Sequence, residues 1–226
     1  MQQTPASADA PPPLIDTIRD KRAHMLSVAE EVFLSEGYHA SMDSIAARAK
    51  VAKQTVYNHF GSKEGLFSEV VRRIADTITD ALFEPDLDLR AALLGFALSL
   101  RARALCPQGI STYRALVAEA PRFPELALLI YAKGPRTGRD VLAMLFRKKM
   151  AKGELLSADP ELAAEQFIGM LTGYDRVRLL FGAERSNTAI VESAYCEQTV
   201  DAFLRAYSPN KRTRVPGNLK RPTHNE

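Results

Sequence analysis

The stretch Ser41-Met42-Asp43-Ser44-Ile45-Ala46-Ala47-Arg48-Ala49-Lys50-Val51-Ala52-Lys53-Gln54-Thr55-Val56-Tyr57-Asn58-His59-Phe60-Gly61-Ser62-Lys63 carries two short helical signals joined by a three-residue turn. Ser41 is a good N-cap for the first helix, which the pattern ends near Ala49. Asp43 complements the dipole of its first turn. The second helix is predicted over Lys53–Phe60, and Gly61-Ser62 breaks it and caps a longer helix starting at Lys63. Two short helices across such a turn form the helix-turn-helix pattern.

The side-chain arithmetic gives the second helix an inner and an outer face. With Val56 at zero and about 100° per residue, Phe60 falls near 40°, so the two form a buried stripe. Ile45, Ala46 and Ala49 supply the facing surface, and Ala46 permits close approach. On the same wheel Gln54 falls near 160° and Asn58 near 200°, away from the core. Thr55 and Tyr57 lie on the flanks. Gln and Asn can pair two-pronged with an adenine edge, and Thr can meet a thymine methyl or a phosphate. Lys53 and Lys63 bracket the helix as phosphate anchors. Lys63 also opens a helix whose first N–H groups attract phosphate.

Outward from this unit the chain reads as helices with no convincing strand. Ile18, Met25, Leu26, Ala29, Val32 and Phe33 recur at three- and four-residue steps before Glu36-Gly37 stops the helix. Later helices are predicted at 63–83, 87–103, 107–119 and 124–150, the last broken at Gly134-Pro135. Asp159-Pro160-Glu161 starts another that ends near Phe181. Asn187 caps a final helix ending near Tyr207. The expected fold class is all-α. The expected division is a tail over 1–15, a three-helix DNA-binding domain over 16–66, a larger helical ligand-binding and dimerisation domain over 67–207, and a basic tail over 208–226. Both tails are too polar and Pro-rich to offset chain entropy and are expected to be disordered.

Charge would mislead if only the total were used. The 226 residues hold 30 Lys+Arg and 27 Asp+Glu, a net charge of +3. The excess lies in the C-terminal tail, while 16–66 sums to zero. Phosphate contacts must then come from placement of individual lysines, with acids such as Glu30 and Glu31 turned elsewhere. Hydrophobic content of 46% and charged content of 25% fit a globular chain with a real core. The longest uncharged apolar stretch, 91–100, is half the ~20 residues a membrane helix needs, so no membrane partner is expected. Met1–Ile15 has neither a basic residue nor an apolar core of a secretory signal. Cys106 and Cys196, the two cysteines, read as small buried hydrophobes in a reducing cytoplasmic setting.

The run Ala29-Glu30-Glu31-Val32-Phe33-Leu34-Ser35-Glu36-Gly37-Tyr38, the opening stretch and Glu64 together resemble the N-terminal domain of TetR/AcrR-family transcriptional regulators. The resemblance implies that Ser41, Met42, Lys53, Gln54, Thr55, Tyr57, Asn58, His59 and Lys63 meet a double-stranded DNA operator. Two positions depart from the family pattern. Lys50 stands where glycine is usual, a left-handed position costing a side chain roughly 1 kcal/mol. Ala52 stands where serine is frequent, forgoing about the same as an N-cap.

Tyr113-Arg114-Ala115-Leu116-Val117-Ala118-Glu119-Ala120-Pro121-Arg122-Phe123-Pro124-Glu125-Leu126 and Asp159-Pro160-Glu161-Leu162-Ala163-Ala164-Glu165-Gln166-Phe167 resemble the ligand domain of the AefR-like branch. That implies a homodimer and an inducer cavity. Leu162, Ala163, Phe167, Ile168, Met170, Leu171 and Tyr174 make the 160–181 helix apolar on more than one face, with Gly169 and Gly173 allowing close approach. The final helix offers Ile190, Val191, Ala194, Val200, Phe203 and Leu204, and the last two helices are expected to pair with their copies. Ligand contacts are expected from Phe96, Leu100, Tyr113, Leu116, Met144, Phe167, Met170 and Tyr174, which suit a small apolar or aromatic inducer.

No catalytic residues, metal site or cofactor is expected. Glu84, Asp86 and Asp88 have no nearby histidine or cysteine, and acids before a helix are ordinary. The leading reading is a ligand-released repressor. Its alternatives are an inducer-free architectural or recruiting DNA-binding factor, including an activator, and an all-α enzyme that has captured a helix-turn-helix.

Overall fold

The computed structural model describes residues 14–83, 88–183 and 189–209. The expected tails, Glu84 and Asp86, and the Asn187 cap lie outside them, apart from a few residues at the tail boundaries. The described residues form α1 (Leu14–Glu36), α2 (Met42–Arg48), α3 (Lys53–Phe60), α4 (Lys63–Thr79), α5 (Leu89–Ala104), α6 (Pro107–Glu119), α7 (Pro124–Lys133), α8 (Pro135–Ala151), α9 (Pro160–Leu180) and α10 (Ala189–Ala206). Short 3₁₀ turns occupy Gly37–His39 and Asp80–Leu82. The fold is all-α, with the helix-turn-helix arrangement at the N-terminus and a larger helical bundle after it.

Caps set most of the boundaries. Asp88 accepts from the Ala91 N–H at 2.7 Å, so α5 begins at Leu89, two residues after the expected start. Asp159 accepts from the N–H groups of Glu161 and Leu162, and Pro160 occupies the first helical position, where it sacrifices no intrahelical bond. Pro135 divides the expected long helix into α7 and α8. At that joint a Cβ on Gly134 would come 2.8 Å from Val71 Cγ1, so any side chain there would have to displace the corner or Val71 on α4. α4 gives way to a 3₁₀ turn after Thr79, short of the expected end at Phe83, and the buried Thr79 hydroxyl bonds back to the carbonyls of Ala75 and Asp76.

Two apolar cores hold the chain. The first joins Met25, Ala29, Val32 and Phe33 of α1 to Ile45, Ala46, Val56, Phe60, Leu66, Phe67 and Val70, and Ile130 of α7 enters it. Phe33 and Phe67 meet edge to face at 4.8 Å. The expected domain boundary at 66/67 thus falls inside α4, between two residues of this core. The second core unites α5, α8, α9 and α10 through Phe96, Phe146, Phe167 and Phe203, each 1% exposed or less. Each such burial removes apolar area worth about 1.5–3 kcal/mol from water.

Within the bundle Arg101 is fully buried. Its guanidinium donates to Asp175 at 2.6 Å, to Glu192, and to the Leu171 carbonyl, and it stacks 4.2 Å over Tyr195. A buried charge is tolerated only when paired in this way. The network ties α5 to α9 and α10. Burial opposes ionisation of Asp175, but the hydrogen bonds from Arg101 and Arg178 prevail and hold its carboxyl below the usual range.

Several expected placements are corrected. Val200 and Phe203 are 0% and 1% exposed and face their own core, so they are not free to meet a partner. Leu204 packs half-buried against the same core. The side chains of Ile190 and Val191 lie outside the described residues. Cys196 is buried as expected, but Cys106 is only half-buried. Its sulfur caps α6, accepting from the Gly109 N–H at 3.2 Å and donating to the Arg103 carbonyl at 3.4 Å. Among the described residues no helix is long and apolar enough to cross a membrane. Among them no group of three His, Cys, Asp or Glu side chains could hold a metal ion.

Candidate nucleic-acid interface

α2 starts where a side chain can replace a missing helical partner. Ser41 Oγ accepts from the Ser44 N–H at 3.0 Å. Its end is a Schellman turn: the Val51 N–H donates to the Ala46 carbonyl at 3.0 Å and the Lys50 N–H to that of Ala47 at 3.1 Å. This geometry demands a left-handed residue, and Lys50 supplies it at φ 53°, the one positive φ on a non-glycine among the described residues. The chain then enters α3 through Ala52, which offers no side-chain cap. Both departures from the family pattern therefore fall where the local backbone carries their cost.

α3 is seated by Val56, 0% exposed, and Phe60, 8% exposed, against Ile45 and Ala46 of α2 and Ala49 at its end. Gln54 and Asn58 are consequently turned outward, and Gln54 Nε2 donates to Asn58 Oδ1 at 2.9 Å. Thr55, Tyr57 and His59 are half-buried on the flanks, and Tyr57 also packs against the first core. Lys53 is exposed and pairs with Asp43 at 2.9 Å, and that hydrogen bond raises its pKa. Ser41 is exposed beside them, whereas the Met42 side chain is 5% exposed and belongs to the core. Met42 can offer the outer surface only its backbone N–H, one of the unpaired donors of a first turn.

Gly61, at φ 73°, turns the chain from α3 to α4. Ser62 caps α4 by accepting from the Gly65 N–H at 3.1 Å, leaving Lys63 and Glu64 in its first turn. The Lys63 ammonium lies 4.5 Å from the centroid of the Tyr38 ring, and burial pushes its pKa down. The Tyr38 hydroxyl donates to Glu64 at 2.8 Å. The Glu64 carboxyl is held low first by its own backbone N–H and then by Tyr38, and Tyr38 is itself pushed up by burial and that carboxylate. The Tyr38–Lys63 contact has no local signature, since the two residues belong to different helical turns of the sequence; an aromatic residue directly after a helix stop is its one hint. Glu30 faces away from α3, accepting from Arg103 at 2.8 Å and pairing with Arg73 at 3.5 Å.

The eight residues expected to line a ligand cavity are not gathered around one space. Phe96 and Phe167 stack at 6.2 Å in the second core, with Leu100 half-buried beside them. Leu116 packs instead against the first core. Tyr113, Met144, Met170 and Tyr174 are 39%, 63%, 41% and 80% exposed. Leu142, Ala143 and Phe146 hold the inner face of α8, so Met144 must point out. Ala163, Phe167 and Leu171 do the same on α9, turning Met170 and Tyr174 to the surface.

Comparison with known proteins agrees with this fold. The family model described as bacterial regulatory proteins, tetR family, matches residues 25–70. That described as the AefR-like transcriptional repressor C-terminal domain matches residues 91–209. The HTH-type transcriptional repressor Rv3405c of Mycobacterium tuberculosis is 32% identical over 161 residues, covering 70% of this chain and 82% of that protein. The HTH-type transcriptional activator FasR of Mycolicibacterium smegmatis is 42% identical over 64 residues, but the match spans 28% of this chain and 29% of FasR. The solved structure of the Flavonoid-responsive Regulator FrrA superposes with a TM-score of 0.62 at 30% identity, covering 84% of this chain and 98% of that one. The chain belongs to the TetR family of bacterial regulatory proteins and is a DNA-binding regulator with their helix-turn-helix.

Proposed function

We propose that the protein is a ligand-released repressor that binds a near-palindromic operator as a homodimer. In this reading residues 16–66 bind DNA and 67–207 bind ligand and dimerise. The observation that carries it is the outer face of α3, where Gln54 and Asn58 stand clear of a core fixed by Val56 and Phe60, with Thr55 half-buried on the flank. Gln54 and Asn58 read base edges. Lys53, Lys63, Tyr57, His59, Ser41 and the Met42 backbone set the register on phosphates. The repressor sign is supported by the description of the C-terminal family model.

The dimer has support on α9. Leu162, Met170, Tyr174 and Val177 along it, and Phe181 just after its end, are 41–88% exposed, and no atom lies within 4 Å of a Cβ placed on Gly169 or Gly173. An apolar stripe of this kind, with small residues between, suits contact with a copy of itself. Tyr195 of α10 adds to the face and donates to the Met170 carbonyl at 2.8 Å. The inducer is an apolar or aromatic molecule. The name of FrrA, which describes it as flavonoid-responsive, supports the aromatic class. Phe96, Leu100 and Phe167, which share one core, are the expected contacts that meet a ligand entering the bundle.

Selection of duplexes from a random-sequence pool tests the reading. It predicts two inverted half-sites separated by whole helical turns, as a two-fold dimer requires. Recovery of a single half-site, or of no preferred sequence, contradicts it.

A further inference from the structure

A cleft of about 770 Å³ lies where the start of α4 faces the α6–α7 corner. It does not involve the residues proposed above for the inducer. Its size falls in the range of small-molecule sites. Phe123, Pro124, Leu126 and Leu129 supply its apolar lining, and Tyr38 a second aromatic ring. Two cations also line it, Lys63 and Arg122.

The lining balances two cations with two acids, but neither cation is held in a short salt bridge. Lys63 rests on the Tyr38 ring and makes no ion pair within 4.0 Å among the described residues. Arg122 lies 5.1 Å over the Phe123 ring, and its ion pair to Glu119 is at 4.0 Å with the arginine side chain 76% exposed. Of the two acids in the lining, Glu64 is engaged by the Tyr38 hydroxyl. Glu125 is exposed in the first turn of α7. A partly desolvated ammonium, whose acidic neighbour Glu64 acts on it without closing a salt bridge, gains from an anion that does bond to it, and charge-assisted hydrogen bonds are the strong ones.

We propose that this cleft binds an amphipathic organic carboxylate with an aromatic body, its carboxylate taken by Lys63 and Arg122 and its ring by the Phe123 side. Such a ligand occupies the same ammonium that a DNA phosphate needs. The carboxylate and DNA therefore exclude one another at Lys63, and this second step rests on the assignment of Lys63 as a phosphate contact. The site lies at the junction of the DNA-binding helices with the bundle, so it acts on DNA binding without any rearrangement of the second core.

Fluorescence titration of the full chain with 2-naphthoate, and with neutral 2-naphthamide as control, tests the site. One lost charge-assisted contact corresponds to about tenfold or more in affinity. Naphthoate should bind saturably, and naphthamide, Arg122→Gln and Lys63→Gln should each weaken binding by about that factor. Phe123→Ala should weaken both probes. Equal affinity for the two probes, or wild-type naphthoate affinity in Arg122→Gln, overturns the site. Arg122 is exposed, so its replacement does not threaten folding. Release of a selected duplex by naphthoate supports the exclusion, and binding of naphthoate without release overturns it. Undiminished DNA affinity in Lys63→Gln would instead refute the phosphate assignment, while the naphthoate titration continues to judge the cleft.

Discussion

Gln54 donates to Asn58 at 2.9 Å across one turn of α3, on the face opposite Val56 and Phe60. The bond uses one donor of Gln54 and one acceptor site of Asn58. It leaves the Gln54 carbonyl and both Asn58 N–H donors for an outside partner. Two amides held in register in this way suit an adenine edge, which presents one donor and one acceptor. Asn58→Ala is expected to relax the preference at one base position by about 1–3 kcal/mol. Sequencing of duplexes selected by wild type and variant checks this. An identical profile would count against base reading by Asn58.

Lys50 holds a left-handed backbone that glycine adopts without steric cost. Lys50→Gly is expected to stabilise the fold by up to about 1 kcal/mol, reduced by the greater freedom of glycine in the unfolded chain. The corresponding rise in thermal midpoint is about 2–4 °C at most for a chain of this size. A lowered midpoint by calorimetry would show that the Lys50 side chain contributes more than its strain costs.

Loss of Arg101 leaves Asp175 buried without its main partner. Arg101→Met is expected to cost about 3–5 kcal/mol at neutral pH. The sign of its pH dependence follows from Asp175, whose folded pKa is depressed. Stability from that carboxylate is present above its unfolded value, near 4, and is lost as pH falls through the folded value. The gap between wild type and variant should therefore narrow below about pH 4 in denaturant titrations. A gap that stays constant down to the acid limit would remove Asp175 from the explanation.

Tyr174 is 80% exposed at the centre of the α9 stripe. Tyr174→Arg places a charge in the apolar stripe proposed for the self-contact, where burial of an unpaired charge is costly. Sedimentation at micromolar concentration should show a dimer of the 25.0 kDa wild-type chain and a shift toward monomer in the variant. A wild-type monomer would overturn the interface.

What could be read from sequence was what local chemistry decides. Ser41, Ser62 and Asp159 cap their helices and Pro135 splits α7 from α8, all within a few residues of their partners. The left-handed turn at Lys50 was legible only through the family resemblance. The wheel that sent Gln54 and Asn58 outward needed only the apolar pair Val56 and Phe60. Residues whose surroundings come from distant helices were not legible. Arg101 resembles an ordinary basic residue in the last turn of α5, yet its acceptors lie 74 and 91 residues away. Periodicity alone gave Val200 and Tyr174 no direction. Packing sent Val200 inward and Tyr174 outward, because two apolar faces on one helix look alike until a neighbour covers one. The Tyr38–Lys63 contact was hidden for the same reason.

The most direct measurement is the affinity of the full chain for a selected duplex as a function of salt, for wild type, Lys53→Ala and Lys63→Ala. Each phosphate contact releases counterions, so its loss lowers affinity and makes the slope of log K against log salt shallower by about 0.9. Both variants should show weaker binding and a shallower slope, doubled where both protomers engage. Unchanged affinity and slope in both would contradict the placement of the α3 face and its flanking lysines on DNA.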